Sequence, residues 1–102
     1  MAIRISKEET FSVQGNVDEI RSRIVKALMA GGFTRINEYS SLNHVTANYK
    51  KFTVWGEIKI SLIHENDIVK VNAVSTANVD NIFALFSSPN QKILDQFKNY
   101  FR

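Results

Sequence analysis

From its first residues the chain alternates in the way a half-buried strand requires. Ile3, Ile5, Phe11 and Val13 share one face, and Arg4, Ser6, Glu8, Thr10 and Ser12 share the other. Lys7 and Glu9 interrupt the apolar face, so a bend or bulge is expected there. Gln14-Gly15 ends the alternation. Asn16 then stands as a helix N-cap with Glu19 three residues later, a pair that resembles a capping box. Ile20, Ile24, Ala27 and Leu28 follow at helical spacing, with Arg21, Arg23 and Lys26 outside. This predicts a helix over 17–30, ended by Gly31-Gly32, where a positive φ is available.

After Phe33 the period returns to two. A strand is expected over 34–38, with no face assignable, and Ser40-Ser41-Leu42-Asn43 has turn chemistry. Val45, Ala47 and Tyr49 then alternate with His44, Thr46, Asn48 and Lys50. Phe52, Val54, Gly56, Ile58, Ile60 and Leu62 continue the inward face, opposed by Thr53, Trp55, Glu57, Lys59 and Ser61. His64-Glu65-Asn66-Asp67 reads as a hairpin turn, after which Val69, Val71, Ala73 and Ser75 point inward. Pairing Ile63 with Ile68 sets Leu62 against Val69 and Ile60 against Val71. Closing the preceding hairpin at Lys50-Lys51 sets Tyr49 against Phe52 and Ala47 against Val54. Both registers oppose apolar to apolar.

Residues 77–88 are the least regular stretch. Val79, Ile82, Phe83 and Phe86 fall at helical spacing and predict a short turn that caps the sheet. Ser88, Pro89 and Gln91 give an N-cap, an N1 proline and an N3 glutamine. A final helix follows, with Ile93, Leu94, Phe97, Tyr100 and Phe101 as its apolar stripe and Lys98 off it.

The fold class is therefore α+β: β-α-β-β-β-β-α, an antiparallel sheet with both helices on one face and the other face open. This element order resembles one repeat of the TATA-binding-protein-like fold, and also a short helix-grip domain. No motif residue of the DNA-binding family is present. The stretch from Val79 through Phe86 to Phe97 is similar to the ends of small uncharacterised bacterial single-domain proteins, a resemblance that implies no activity.

Composition narrows the classes further. A chain of 102 residues, 44% hydrophobic and 23% charged, suits one globular domain over 1–102. With no cysteine there is no disulfide framework, thiolate nucleophile or cysteine metal site. Charge appears too early for a signal peptide, and the longest apolar run, Ile82 to Phe86, is too short to cross a bilayer. A cytoplasmic protein without membrane insertion is expected. The formal charge of +3 permits a polyanionic partner without demanding one.

No residue pattern identifies a reaction. His64, Glu65 and Asp67 share a turn, where such groups are ordinarily solvated. The expected register sets His44 against Glu57, a cross-strand polar pair with no nucleophile beside it. Gly31-Gly32 ends a helix, so its amides do not converge on an anion. No catalytic residue, metal ligand or cofactor is assigned, and the chain is read as a non-enzyme. What remains is the open sheet face, with Trp55 amid Lys59, Lys70, Val74, Thr46 and Thr76, together with Arg4, Lys50, Glu8 and Glu57. Thr46 and Thr76 are expected to flank Trp55. The face suggests a binding or protein-interaction module, with self-association included. Single-stranded nucleic acid comes second, because a stacking platform ordinarily offers several aromatics. A small apolar ligand between sheet and helices comes third.

Overall fold

The computed structural model describes residues 3–51, 54–79 and 89–101. The expected inward Phe52, the turn containing Ile82, Phe83 and Phe86, and the Ser88 cap lie outside these residues. The described elements run β1 (Ile3–Gln14), α1 (Val17–Ala30), β2 (Thr34–Tyr39), a short 3-10 turn (Ser40–Leu42), β3 (His44–Lys51), β4 (Val54–Glu65), β5 (Ile68–Val79) and α2 (Pro89–Phe101). The element order is the expected one, and the five strands form one antiparallel sheet in the order β1-β5-β4-β3-β2. β5 continues to Val79, so 77–79 extend the sheet where a less regular segment was expected.

α1 begins where Asn16 Oδ1 accepts the Glu19 N–H at 2.8 Å. It ends in a Schellman pair: the Phe33 N–H donates to the Leu28 carbonyl at 3.0 Å and the Gly32 N–H to the Met29 carbonyl at 3.2 Å. That closure needs a left-handed residue, and Gly32 supplies it at φ +84°. Gln96 of α2 completes the end, its Nε2 donating to the Gly31 carbonyl at 2.9 Å.

Both helices cover the same sheet face. Ile20, Ile24 and Leu28 of α1 and Ile93, Leu94 and Phe97 of α2 meet Val45, Ile58, Ile60, Val69 and Val71, all of them without accessible surface. Burial on this scale contributes roughly 1.5–3 kcal/mol per large side chain. The inward face also holds Ser75, whose Oγ donates to Asn90 Oδ1 at 2.8 Å and so ties the start of α2 to β5. Tyr100, expected in the apolar stripe, is 51% exposed instead. At 100° per residue it lies at the stripe's margin, and Phe97 and Phe101 fill the contact.

Three further expectations are corrected. β1 has no bulge at Lys7 and Glu9, and its register with β5 is continuous from Ile3–Val79 to Gln14–Ile68. The polar flank of α2 meets both residues: Lys98 Nζ lies 2.7 Å from Glu9 Oε2, and Gln91 bonds both Glu9 and Lys7. The β4–β5 hairpin pairs Glu65 with Ile68 around a two-residue turn, Asn66-Asp67, with Asn66 at φ +55°. Leu62 therefore opposes Val71, a shift of two positions from the expected register. The β3–β4 hairpin closes at Lys51–Val54, so Ala47 opposes Ile58, a shift of four. Both shifts are even, and the inward faces survive them.

Candidate interaction surface

The open face can be written as rows across the sheet, because each register position has one neighbour on each side. Asn78, Trp55 and Lys50 form one row. Ser6, Thr76, Glu57, Asn48 and Thr34 form the next, then Glu8, Val74, Lys59, Thr46 and Asn37. Thr10, Asn72, Ser61, His44 and Tyr39 follow, and Ser12, Lys70 and Ile63 lie beyond them. His44 thus faces Ser61, not Glu57 as the expected register had it.

The expected surface residues are only partly brought together. Thr46, Lys59 and Val74 are contiguous in one row, and Thr76 adjoins them in the next. Trp55 is one row further, and its lateral neighbours are Lys50 and Asn78 rather than Thr46 and Thr76. Lys70 stands apart near the β4–β5 turn, with its Nζ 3.6 Å from Glu65 Oε1. The shift of four positions against β3 and of two against β5 is the physical reason for the changed neighbours.

Trp55 is half-buried, in an open depression of about 330 Å³ that also touches Thr34, Asn48, Lys50, Gly56, Glu57 and Asn78. Strand alternation turns its indole away from the core, as read from the sequence. Gly56, on the inward side, permits a close approach of β5. A Cβ there would lie 2.3 Å from the Thr76 carbonyl oxygen and 2.8 Å from Ala77 Cα.

Polar groups on the two halves of this face are used differently. Between β1 and β5 they satisfy one another: Ser6 Oγ and Thr76 Oγ1 are 3.1 Å apart, and Asn72 Nδ2 donates to Glu8 Oε2 at 3.2 Å. Around Trp55, among the described residues, the side chains of Asn48, Asn78 and Thr34 have no protein hydrogen-bond partner, and Lys50 and Lys59 form no ion pair. The missed members of the site are therefore Asn48, Asn78 and Thr34, while Lys50, expected on this face, stands directly beside Trp55. Pairing Lys51 with Val54 gives the register of Asn48 and Lys50 directly, whereas Asn78 and Thr34 depend on the pairings of β5 and β2.

Among the described residues no cluster of three metal-ligating side chains occurs. His64 lies beside Gln14, Gly15, Asn16, Asn66 and Asp67 in an open surface hollow, exposed like Asn66 and Asp67. Among the described residues no helix is long and apolar enough to cross a membrane.

No protein-family profile matches the chain, and no curated protein sequence matches it. Solved structures do. The adenylate sensor from AMP-activated protein kinase, crystallised with the ribofuranotide ZMP, superposes with a TM-score of 0.68 at 11% identity, over 89% of this chain and 93% of that one. A norcoclaurine synthase point mutant from Thalictrum, in complex with a transition-state analogue, gives 0.68 at 9% identity, over 99% of this chain and 93% of that one. A conserved protein from Geobacillus kaustophilus gives 0.55 at 10% identity, over 95% and 92%. At these identities the likeness is one of fold, and the fold is helix-grip-like.

Proposed function

We propose that this chain is a non-catalytic binding module whose open sheet face, centred on Trp55, receives a protein partner or a second copy of the chain. One observation carries the reading. A half-buried indole sits in a depression beside two asparagines whose amides have no partner among the described residues. A large apolar ring rimmed by unused donors and acceptors is the composition of a protein-interface anchor, where one tryptophan can contribute several kcal/mol.

Single-stranded nucleic acid is supported less. Among the described residues the other aromatic on this face, Tyr39, lies three rows from Trp55, roughly 20 Å away along the strands. A ligand between the layers draws support from the fold, since two of the neighbours are complexes with small molecules. In this chain Ile20, Ile24, Leu28, Ile58, Ile60 and Phe97 fill that space, each with no accessible surface.

The test compares complex formation, homomeric or with a partner, by the native chain, Trp55→Ala and Tyr100→Ala. Loss of roughly tenfold or more in affinity only for Trp55→Ala is expected. A complex indifferent to Trp55→Ala would overturn the reading.

A further inference from the structure

β1 is an edge strand, and its backbone polarity can be assigned. The two-residue turn at Asn66-Asp67 makes Glu65 and Ile68 a hydrogen-bonded pair, so even-numbered residues of β5 bond to β4 and odd-numbered ones to β1. The Gly15 N–H donates to the Asp67 carbonyl at 3.1 Å, which fixes the same phase on the other side. Odd residues of β1 therefore complete the ladder with β5. Ser6, Glu8, Thr10 and Ser12 turn their N–H and C=O groups toward the outer edge.

A groove of about 320 Å³ runs along the same edge, lined by Phe11, Ser12, Val13, Arg23, Lys98 and Phe101. Ser12 projects to the opposite sheet face from Phe11 and Val13, so a groove touching all three lies at the strand's outer side. Its floor is aromatic, with the Phe11 and Phe101 ring centroids 5.9 Å apart. Its rim holds two cations. Lys98 is already paired with Glu9 and Asp95, but Arg23 has no carboxylate partner among the described residues. Its guanidinium lies 4.8 Å over the Phe101 ring and donates to the Phe101 carbonyl at 3.4 Å.

We propose that the outer edge of β1 receives an extended acidic segment of a partner protein as a sixth strand. Main-chain bonds form to Ser6, Glu8, Thr10 and Ser12. An apolar side chain of the segment enters the groove at Phe11 and Phe101, and a neighbouring carboxylate meets Arg23. Strand addition draws affinity from the backbone and selectivity from such side-chain pockets. The uncommitted Arg23 guanidinium selects the acidic occupant over a basic one. This surface is separate from the depression at Trp55, so the two readings stand or fall independently.

The test uses capped seven-residue peptides, one alternating aspartate with leucine and valine, the other with lysine in place of aspartate, read by fluorescence anisotropy against the full chain. The acidic peptide is expected to bind at least tenfold tighter than the basic one. Arg23→Gln should weaken it roughly tenfold, and Thr10→Pro, which removes an edge-facing N–H without touching the β5 ladder, should do the same. Amide exchange at Thr10 and Ser12 should slow when the acidic peptide is added. Urea midpoints for both variants verify folding, and Trp55→Ala should bind the peptide normally. No binding by the acidic peptide, equal binding of the two peptides, or binding unaffected by both substitutions would overturn the proposal. So would a concentration-dependent dimer of the native chain that Thr10→Pro abolishes, since a second copy would then occupy the edge.

Discussion

A carboxylate on the helix-facing side of a sheet costs stability unless a cation meets it, and Lys98 meets Glu9 at 2.7 Å. The Lys98 ammonium, with Gln91 assisting, holds the Glu9 carboxyl below the usual carboxylate range, against the opposing effect of partial burial. Glu9 in turn holds Lys98 above the usual lysine range. A lowered Glu9 pKa contributes stability that is present above the ordinary glutamate value and disappears as pH falls through the lowered one. A raised Lys98 pKa contributes stability that is present below the ordinary lysine value and disappears as pH rises through the raised one. At neutral pH Glu9→Gln should therefore destabilise by up to about 1 kcal/mol, the difference shrinking in acid as the native carboxyl protonates. Urea unfolding across pH measures this. A difference that is the same at every pH would contradict the ion pair. Gly56 gives a second residue-scale prediction. Replacing glycine by alanine usually favours the folded state slightly, but here the added Cβ meets the β5 backbone. Gly56→Ala should cost about 1–3 kcal/mol in the same assay. A neutral or stabilising effect would show that β5 yields freely.

The elements were legible wherever a local period governs them. α1 follows from Asn16, the Ile20-Ile24-Leu28 spacing and Gly32, because cap, stripe and stop all lie within the helix's own sequence. Inward faces of β3, β4 and β5 follow from alternation, which tolerates even shifts of register. The registers themselves depend on turn length. His64 to Asp67 offers four residues of turn character, and only the left-handed Asn66 shows that two of them form the loop. β2 could not be faced at all, for a physical reason. Arg35 at φ +51° begins a register shift before Asn37, so Thr34 and Asn37 both align with outward residues of β3 while Ile36 packs toward the core. Period two is broken there. In α2 the buried positions are Ile93, Leu94, Phe97 and Phe101. Phe97→Ala should cost roughly 3–5 kcal/mol, and Tyr100→Ala, at the exposed margin, less than about 0.5 kcal/mol. Equal costs by urea unfolding would show that α2 is rotated from this placement.

Across the whole molecule, strands of twelve residues give a body of 44 × 24 × 20 Å, with helices on one face of the sheet and a polar face on the other. That Trp55 belongs to the polar face was legible from alternation alone. Its company was not, since Asn48, Lys50 and Asn78 become its neighbours only through the register of β4 with β3 and β5. Lys7 and Glu9 show the same limit from the other side, because their partners lie some eighty residues away on α2. The proposed function rests on Trp55 being accessible in the monomer and covered in the complex. Its emission is a clean signal, because the chain has one tryptophan. The decisive measurement is acrylamide quenching of that emission, followed on dilution of the purified chain and on addition of its partner. Ready quenching is expected in the monomer, and a blue-shifted, protected signal in the complex. A blue-shifted signal that resists quenching in a confirmed monomer, unchanged by dilution or partner, would contradict the proposed function.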